Sequence, residues 1–364
     1  MFDRRLITHF DWTLLFAVLI IAGIGVLNLY SATASWDMAT PYYLKQLSWM
    51  GAGLLVALAV CTVDYRHLEH LAFFFYGVAV ALLLYVILFG KTSMGATRWI
   101  NLGFFNLQPS EVMKIVMIIT LGRYFSRKGA VRGLSLRDLG GPLLLLGLPA
   151  LLIMKQPDLG TSLMLIFIAG TVVLFVGVRR ATLVSLALMG LSAVAGGWFL
   201  LRDYKKERIR TFLDPERDPF GSGYHIIQSK IAVGSGGFFG KGFMKGTQSQ
   251  LSFLPERHTD FAFSVFAEEW GFAGCLALLL LYLFLVIWGI YIARRASDHF
   301  GMALAIGVVA MFFWHIVVNL GMVIGLLPVV GVPLPLFSYG GTSLITTMIG
   351  TGLLLNVSMR RFMF

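Results

Sequence analysis

Charge is scarce in this 364-residue chain: Asp, Glu, Lys and Arg make up 13% of it, against 58% hydrophobic residues, and the mean hydropathy is +0.81. Such a balance cannot cover a soluble domain with polar surface, so the chain reads as an integral membrane protein. Cysteine is nearly absent. Cys61 and Cys275 fall in separate apolar stretches, which argues against a disulfide framework, suggests no metal cluster and leaves both as packing residues. The first apolar stretch outruns the about 7 to 15 residues of a cleavable signal and lacks a small-residue cleavage site, so it is expected to stay.

What the chain has in quantity is apolar length. A helix needs roughly 20 apolar residues to cross a ~30 Å hydrocarbon core. Ten such stretches recur: Trp12 to Tyr30, Leu44 to Val63, Leu71 to Phe89, Pro109 to Phe125, Leu139 to Met154, Leu159 to Val178, Ala181 to Leu201, Trp270 to Ala293, Met302 to Leu327 and Gly340 to Val357. The expected fold is an all-α integral membrane protein of about ten transmembrane helices. Residues 1–364 form a single polytopic domain, with a long outer loop over 202–260 between helices seven and eight.

The net charge of +11 would suggest nucleic acid in a soluble protein, but its distribution points to topology and anionic lipid instead. Fourteen Lys and Arg fall in alternate short segments, including Arg4, Arg66, Arg179, Arg294 and Arg360, against four in the short loops of the other side. Cytoplasmic loops retain such residues, so both termini are expected inside.

Three polar regions interrupt the apolar pattern. In the long loop, charge alternates with aromatic and Gly-rich pieces. An amphipathic helix is expected between Tyr224 and Val233, with Ile226, Ile227 and Ile231 toward the bilayer and Lys230 in water. The glycines of 234–242 lack the flanking strand and helix of a nucleotide loop, and read as backbone that offers N–H groups to an anion. The loop ends in Glu256-Arg257-His258-Thr259-Asp260, a titratable cluster at the mouth of the eighth helix.

The second region opens the fourth helix. Pro109 suits its first position, Glu111 its first turn and Lys114 the same face one turn deeper. Glu111 alone would read as dipole compensation, but an ammonium inside a membrane helix needs a partner or a watery cavity. Asp158 reads most simply as the N-cap of the sixth helix. The third region, 319–343, holds three prolines, and broken backbone at membrane depth must lie against protein or a cavity. His315 and Asn319, one turn apart, read as interhelical hydrogen-bonding residues outside the site.

Four of these segments in order carry a family resemblance: Gln108 to Lys114, Gln156 to Thr161, Leu254 to Phe261 with Glu268-Glu269 beyond, and Gly331 to Pro335 running on to Ser338 to Ser343. Together they resemble the SEDS family (shape, elongation, division and sporulation) over nearly the whole chain. Arg257 after Glu256 and the short termini are more similar to its elongation branch than to its division branch. The resemblance implies a peptidoglycan glycosyltransferase that polymerises lipid II at the outer face of the bacterial cytoplasmic membrane. It implies Asp260 as general base, with Arg98, Lys114, Arg208, Arg210, Lys230 and Lys245 as candidates to meet the pyrophosphate. Glu111, Asp158, His258, Ser338 and Thr342 would support the pocket. The implied partners are the polyprenyl-linked glycan strand, a class B penicillin-binding protein, other elongation-complex membrane proteins and membrane lipids; no nucleic acid is expected. This reading names no certain cofactor and leaves the metal requirement open, with a divalent cation, Mg or Mn, as the candidate. The competing classes are a lipid II carrier and a structural scaffold. A carrier needs polar groups continuing to the inner side, whereas here they gather at outer helix ends.

Overall fold

The computed structural model describes residues 8–34, 36, 40–93, 96–101, 103, 106–128, 133–200, 206, 210–218, 221–251 and 253–361. Its long helices are α1 (Trp12–Thr33), α2 (Tyr42–Thr62), α3 (Tyr65–Phe89), α4 (Pro109–Lys128), α5 (Gly140–Lys155), α6 (Leu159–Val176) and α7 (Arg180–Leu200). Two pieces follow in the long loop, α8 (Ser222–Ser235) and α9 (Thr247–Gln250), and then α10 (Ala262–Arg294), α11 (His299–Val323) and α12 (Gly341–Arg360). Among the described residues, eight helical segments are long and apolar enough to cross a membrane, and the chain is a multi-pass membrane protein. The eight leave out α4, which carries Glu111, Lys114, Arg123, Arg127 and Lys128, and α7, whose apolar stretch covers Arg180–Ser192.

Side-chain caps begin several helices where the sequence places an aspartate. Asp11 accepts from Leu14 N at 3.1 Å and Asp64 from Arg66 N at 3.0 Å, each satisfying an N–H that the first turn leaves without a helical partner. Burial then sorts the helices into layers. α11 and α12 are 78% and 83% buried over their most apolar windows, whereas α2 and α3 are 22% buried over theirs and present the rest to lipid. α4 packs against α3, α6 and α11, so its charged first turns lie inside protein.

One departure from the all-helix expectation is a small antiparallel sheet between α3 and α4, formed by β1 (Lys91–Ser93), β2 (Ala96–Asn101) and β3 (Asn106–Leu107). Ile100 lies opposite Leu107 and Asn101 opposite Asn106. The sheet fixes Arg98, which the sequence leaves in an unstructured loop.

The eighth span begins earlier than expected, at Ala262, and breaks at Gly271, whose φ of 62° belongs to the left-handed region. A Cβ there would stand 2.2 Å from the Gly240 nitrogen. The glycine-rich segment is stitched across this break. Lys241 N and Gly242 N donate to the carbonyls of Glu268 and Glu269, and Phe272 N and Ala273 N donate back to Gly237 and Phe238. Its own N–H groups thus serve backbone, while the anion site lies a few residues on. There the fully buried Glu268 carboxylate accepts from Thr247 N at 2.8 Å, Gln248 N at 3.1 Å and Lys241 Nζ at 2.7 Å.

The amphipathic segment is α8, but its apolar face turns inward. Ile226, Ser229 and Ala232 are buried against α10 and α11, and Ser229 Oγ contacts Ser264 Oγ at 2.8 Å and donates to Val323 O at 2.7 Å. Ile231 and Lys230 are exposed, so of the three isoleucines Ile226 packs on protein rather than bilayer. At the opposite end of the bundle, Arg360 is buried against Asp64 (3.7 Å) and the Cys61 carbonyl (3.3 Å), and Asp11 accepts from Trp288 Nε1 at 3.0 Å. This is an inner polar set that the sequence reading does not anticipate. None of its residues lines the cavity described next. Cys61 and Cys275 are both free.

Candidate active site

A cavity of about 810 Å³ opens where the sheet, the start of α4, the turn before α10 and the segment after α11 converge. Asp260 lines it. Long-range bonds hold the turn around this residue. Asn319 Nδ2 donates to the Asp260 carbonyl at 3.0 Å and to the Val332 carbonyl at 2.8 Å, tying the turn to the broken segment. Asn28 Nδ2 donates to Ala262 O at 2.9 Å, and Tyr339 N to His258 O at 2.9 Å. Gly331 lies beside the carboxylate, where a Cβ would make an ordinary 3.4 Å contact with Oδ2. Its φ of 71° is what disfavours a larger residue, which would strain the backbone there.

Electrostatics follow from this enclosure. The Asp260 carboxyl is pushed up to about 7, first by burial and then by the Glu256 and Asp158 carboxylates, with Arg98 opposing them. Glu256 itself sits at φ 47°, rare for a residue with a side chain, and is held there as its carbonyl accepts from Thr259 N (3.1 Å) and Phe261 N (3.3 Å). His258 packs against the rings of Trp36, Tyr42 and Tyr339, with centroids at 5.2, 4.9 and 6.0 Å. Burial lowers its imidazole below the ordinary range, with Glu256 working against that shift.

Glu111 and Lys114 meet as the α4 spacing suggests, Nζ to Oε1 at 2.7 Å, both buried and both lining the cavity. His315, left outside the site by sequence reasoning, completes the group: its Nε2 lies 2.8 Å from Lys114 Nζ, and it too lines the cavity. The signal that would have found it is an ionisable side chain at membrane depth opposite another.

Asp158 is the N-cap of α6, accepting from Thr161 N at 3.2 Å and Thr161 Oγ1 at 2.9 Å, and it also lines the cavity. Arg98 lies 3.9 Å from it and donates to the Gln156 carbonyl at 3.3 Å. Thr342 lines the wall. Ser338 does not; its Oγ accepts from Leu334 N at 3.0 Å and shapes the loop behind. Of the other expected cations, Lys230 extends along Gly325, Lys245 is exposed in the glycine-rich loop and Arg210 is exposed on the long loop, all outside the cavity lining; Arg208 lies outside the described residues. Lys45, which the sequence does not single out, is at the wall instead.

The family model for the FtsW, RodA and SpoVE cell cycle proteins matches residues 12–362. The chain belongs to this family. It is 43% identical to the peptidoglycan glycosyltransferase MrdB of Escherichia coli over 98% of this chain and 95% of that one. To the peptidoglycan glycosyltransferase RodA of Treponema pallidum it is 34% identical, over 98% and 99%. Among solved structures it superposes on a chain of a peptidoglycan synthase complex described as coordinating polymerization and crosslinking, with a TM-score of 0.84, 36% identity and 98% and 99% coverage. RodA of Thermus thermophilus follows at 0.73, 32% identity and 97% and 98% coverage.

Proposed function

We propose that the chain is a peptidoglycan glycosyltransferase that polymerises lipid II during cell elongation, with Asp260 as the general base. The observation that carries this reading is one recessed carboxylate, raised to about 7, in the same cavity as the cations Arg98, Lys114 and Lys45. In the reaction the 4-hydroxyl oxygen of one saccharide bonds to the anomeric carbon of another. Its proton passes to Asp260, the bond from anomeric carbon to phosphate oxygen breaks, and the lipid pyrophosphate departs with the electron pair. A carboxylate near 7 is half ionised at neutral pH and basic enough to take that proton. Arg98 and Lys114 meet the charge that grows on the pyrophosphate. One carboxylate suffices, because the pyrophosphate leaves without being protonated.

The cavity end is the outer face and both termini are cytoplasmic, in keeping with the Lys and Arg distribution in the cytoplasmic membrane. Apolar grooves between helices take the polyprenyl tails, and a class B penicillin-binding protein is the partner, in keeping with the crosslinking role of the similar synthase complex. A divalent cation, Mg or Mn, would arrive with the pyrophosphate. Among the described residues no three His, Cys, Asp or Glu side chains gather closely enough to hold one. The test is purified protein with radiolabelled lipid II, with and without the penicillin-binding protein, read as glycan length. Polymer from wild type and none from folded Asp260→Asn is expected. Wild-type polymer from Asp260→Asn removes this residue from catalysis, and absence of polymer from wild type favours a carrier.

A further inference from the structure

His315 faces the cavity from α11. Its two ring nitrogens face different partners: Nδ1 stands 2.7 Å from the Met311 carbonyl one turn back, and Nε2 stands 2.8 Å from Lys114 Nζ. A carbonyl only accepts, so Nδ1 must carry the proton. An ammonium only donates, so Nε2 must carry the lone pair. The two contacts together select one neutral tautomer, and neither leaves room for a second ring proton.

The consequence falls on Lys114. An ammonium has three N–H groups. One goes to Glu111 Oε1 at 2.7 Å and one to His315 Nε2, so the third is left on a side chain that lines the cavity. Glu111 Oε2 is buried with no hydrogen-bond partner, an open acceptor beside the same ammonium. Without an acceptor on α11, the ammonium would swing onto that second oxygen; one N–H would still be spare, but its direction would no longer be fixed by acceptors on two different helices. We infer that His315 is a positioning residue, whose Nε2 holds the Lys114 ammonium off Glu111 Oε2 and keeps one N–H directed at a pyrophosphate group in the cavity. This rests on the glycosyltransferase reading for the identity of the anion, though not for the geometry.

The inference is separated from that reading by measuring binding without turnover. Detergent-purified protein is titrated with inorganic pyrophosphate, and separately with undecaprenyl pyrophosphate, and its melting temperature is followed with each. Wild type is stabilised by both. His315→Gln, which restores an acceptor at similar reach, binds within about threefold of wild type, and Lys114→Met loses the response. His315→Phe keeps the ring and removes the acceptor, and its Kd for inorganic pyrophosphate rises about tenfold or more. His315→Leu serves the same purpose should the Phe variant not fold. A residue that only packs would lower the starting melting temperature and leave the Kd of the folded protein unchanged; that result overturns the inference. So does a wild type that binds neither anion. The histidine tautomer supplies a check on unaltered protein: ¹⁵N NMR is expected to show the Nδ1–H form at His315, and an Nε2–H form sinks the argument. Lack of polymer from lipid II would count against the glycosyltransferase reading alone.

Discussion

Two buried carboxylates of this molecule keep company with a lysine, and they differ in what they leave over. Glu268 is saturated: Lys241, the N–H and hydroxyl of Thr247 and the N–H of Gln248 converge on Oε1, and Gln248 N also reaches Oε2 at 3.2 Å. Glu111 spends one oxygen on Lys114 and keeps the other unpaired beside a cavity. A buried ion held by a full set of donors fixes a fold, whereas one with spare capacity facing open space has something to give a ligand. On the proposed reading the distinction separates residues that hold the turn bearing Asp260 from those that would meet substrate, and it can be tested from either side.

The largest effect is expected at the cavity. Asp260→Asn should lower polymerisation by roughly 10²- to 10⁴-fold, the usual contribution of a general base, with expression and partner binding near normal. The wild-type rate should rise with pH to a plateau above about 7, because the base works only when ionised and its ionisation centres there. A limb lying below the ordinary imidazole value, abolished by His258→Gln, would instead give the role to His258, whose burial pushes it down.

Next comes the unsaturated pair. Glu111→Gln or Lys114→Met alone strands a buried partner, at a cost on the order of 3 to 5 kcal/mol where water is excluded and less where the cavity admits it. The double variant should regain stability without regaining activity. Additive losses in melting temperature would show that the two do not act as a pair.

The saturated cluster should respond in the opposite sense. Glu268→Gln gives up charge-assisted bonds to two backbone N–H groups and should cost about 2 kcal/mol of stability, while polymer made per folded molecule stays within a few-fold. A rate loss beyond about tenfold per folded molecule would erase the contrast between the clusters.

The smallest effect separates function from stability at one residue. The Asp260 carboxyl is raised in the folded state, so the folded protein holds its proton more tightly than the unfolded chain does. The neutral form stabilises the fold below the unfolded carboxylate range, and that contribution is lost as pH rises through about 7. Asp260→Asn should therefore melt close to wild type near pH 4 and somewhat higher than wild type at pH 8. A gap that does not change with pH would mean the carboxyl is not raised.

Local pattern carried much of this into view from sequence. Pro109 marked the first turn of α4, the Asp158 cap was readable from the Pro157-Asp158-Leu159 run, and the i,i+3 spacing placed Lys114 beside Glu111. What escaped is whatever depends on distant chain meeting. Asn319 reaches Asp260 across 59 residues and Gln46 reaches the Ser338 carbonyl across 292, with no spacing to announce either. The cations of the long loop could not be ranked for the same reason, since charge says nothing of where a loop folds; Lys230 and Lys245 lie outside the cavity lining while Arg98 is brought in by a strand, Ala96–Asn101, that carries no alternating apolar pattern. His315 was visible as an oddity, but its partner sits on another helix 201 positions earlier.

The break at Gly271 bears on how the enzyme meets membranes of different thickness. α10 runs 33 residues, about 50 Å at 1.5 Å per residue, well beyond a ~30 Å hydrocarbon layer. As one rigid rod it would transmit every change of tilt demanded by hydrophobic mismatch straight to the turn that bears Asp260. The kink divides it into a lipid-matched length after Gly271 and a short stub before it, clamped by the glycine-rich strap and by Asn28. The strap holds both sides of the break, with its Lys241 and Gly242 N–H groups on the stub and its Gly237 and Phe238 carbonyls on the long piece, so a tilt of the long piece is shared with the strap while Asn28 anchors the stub at Ala262 beside the cavity.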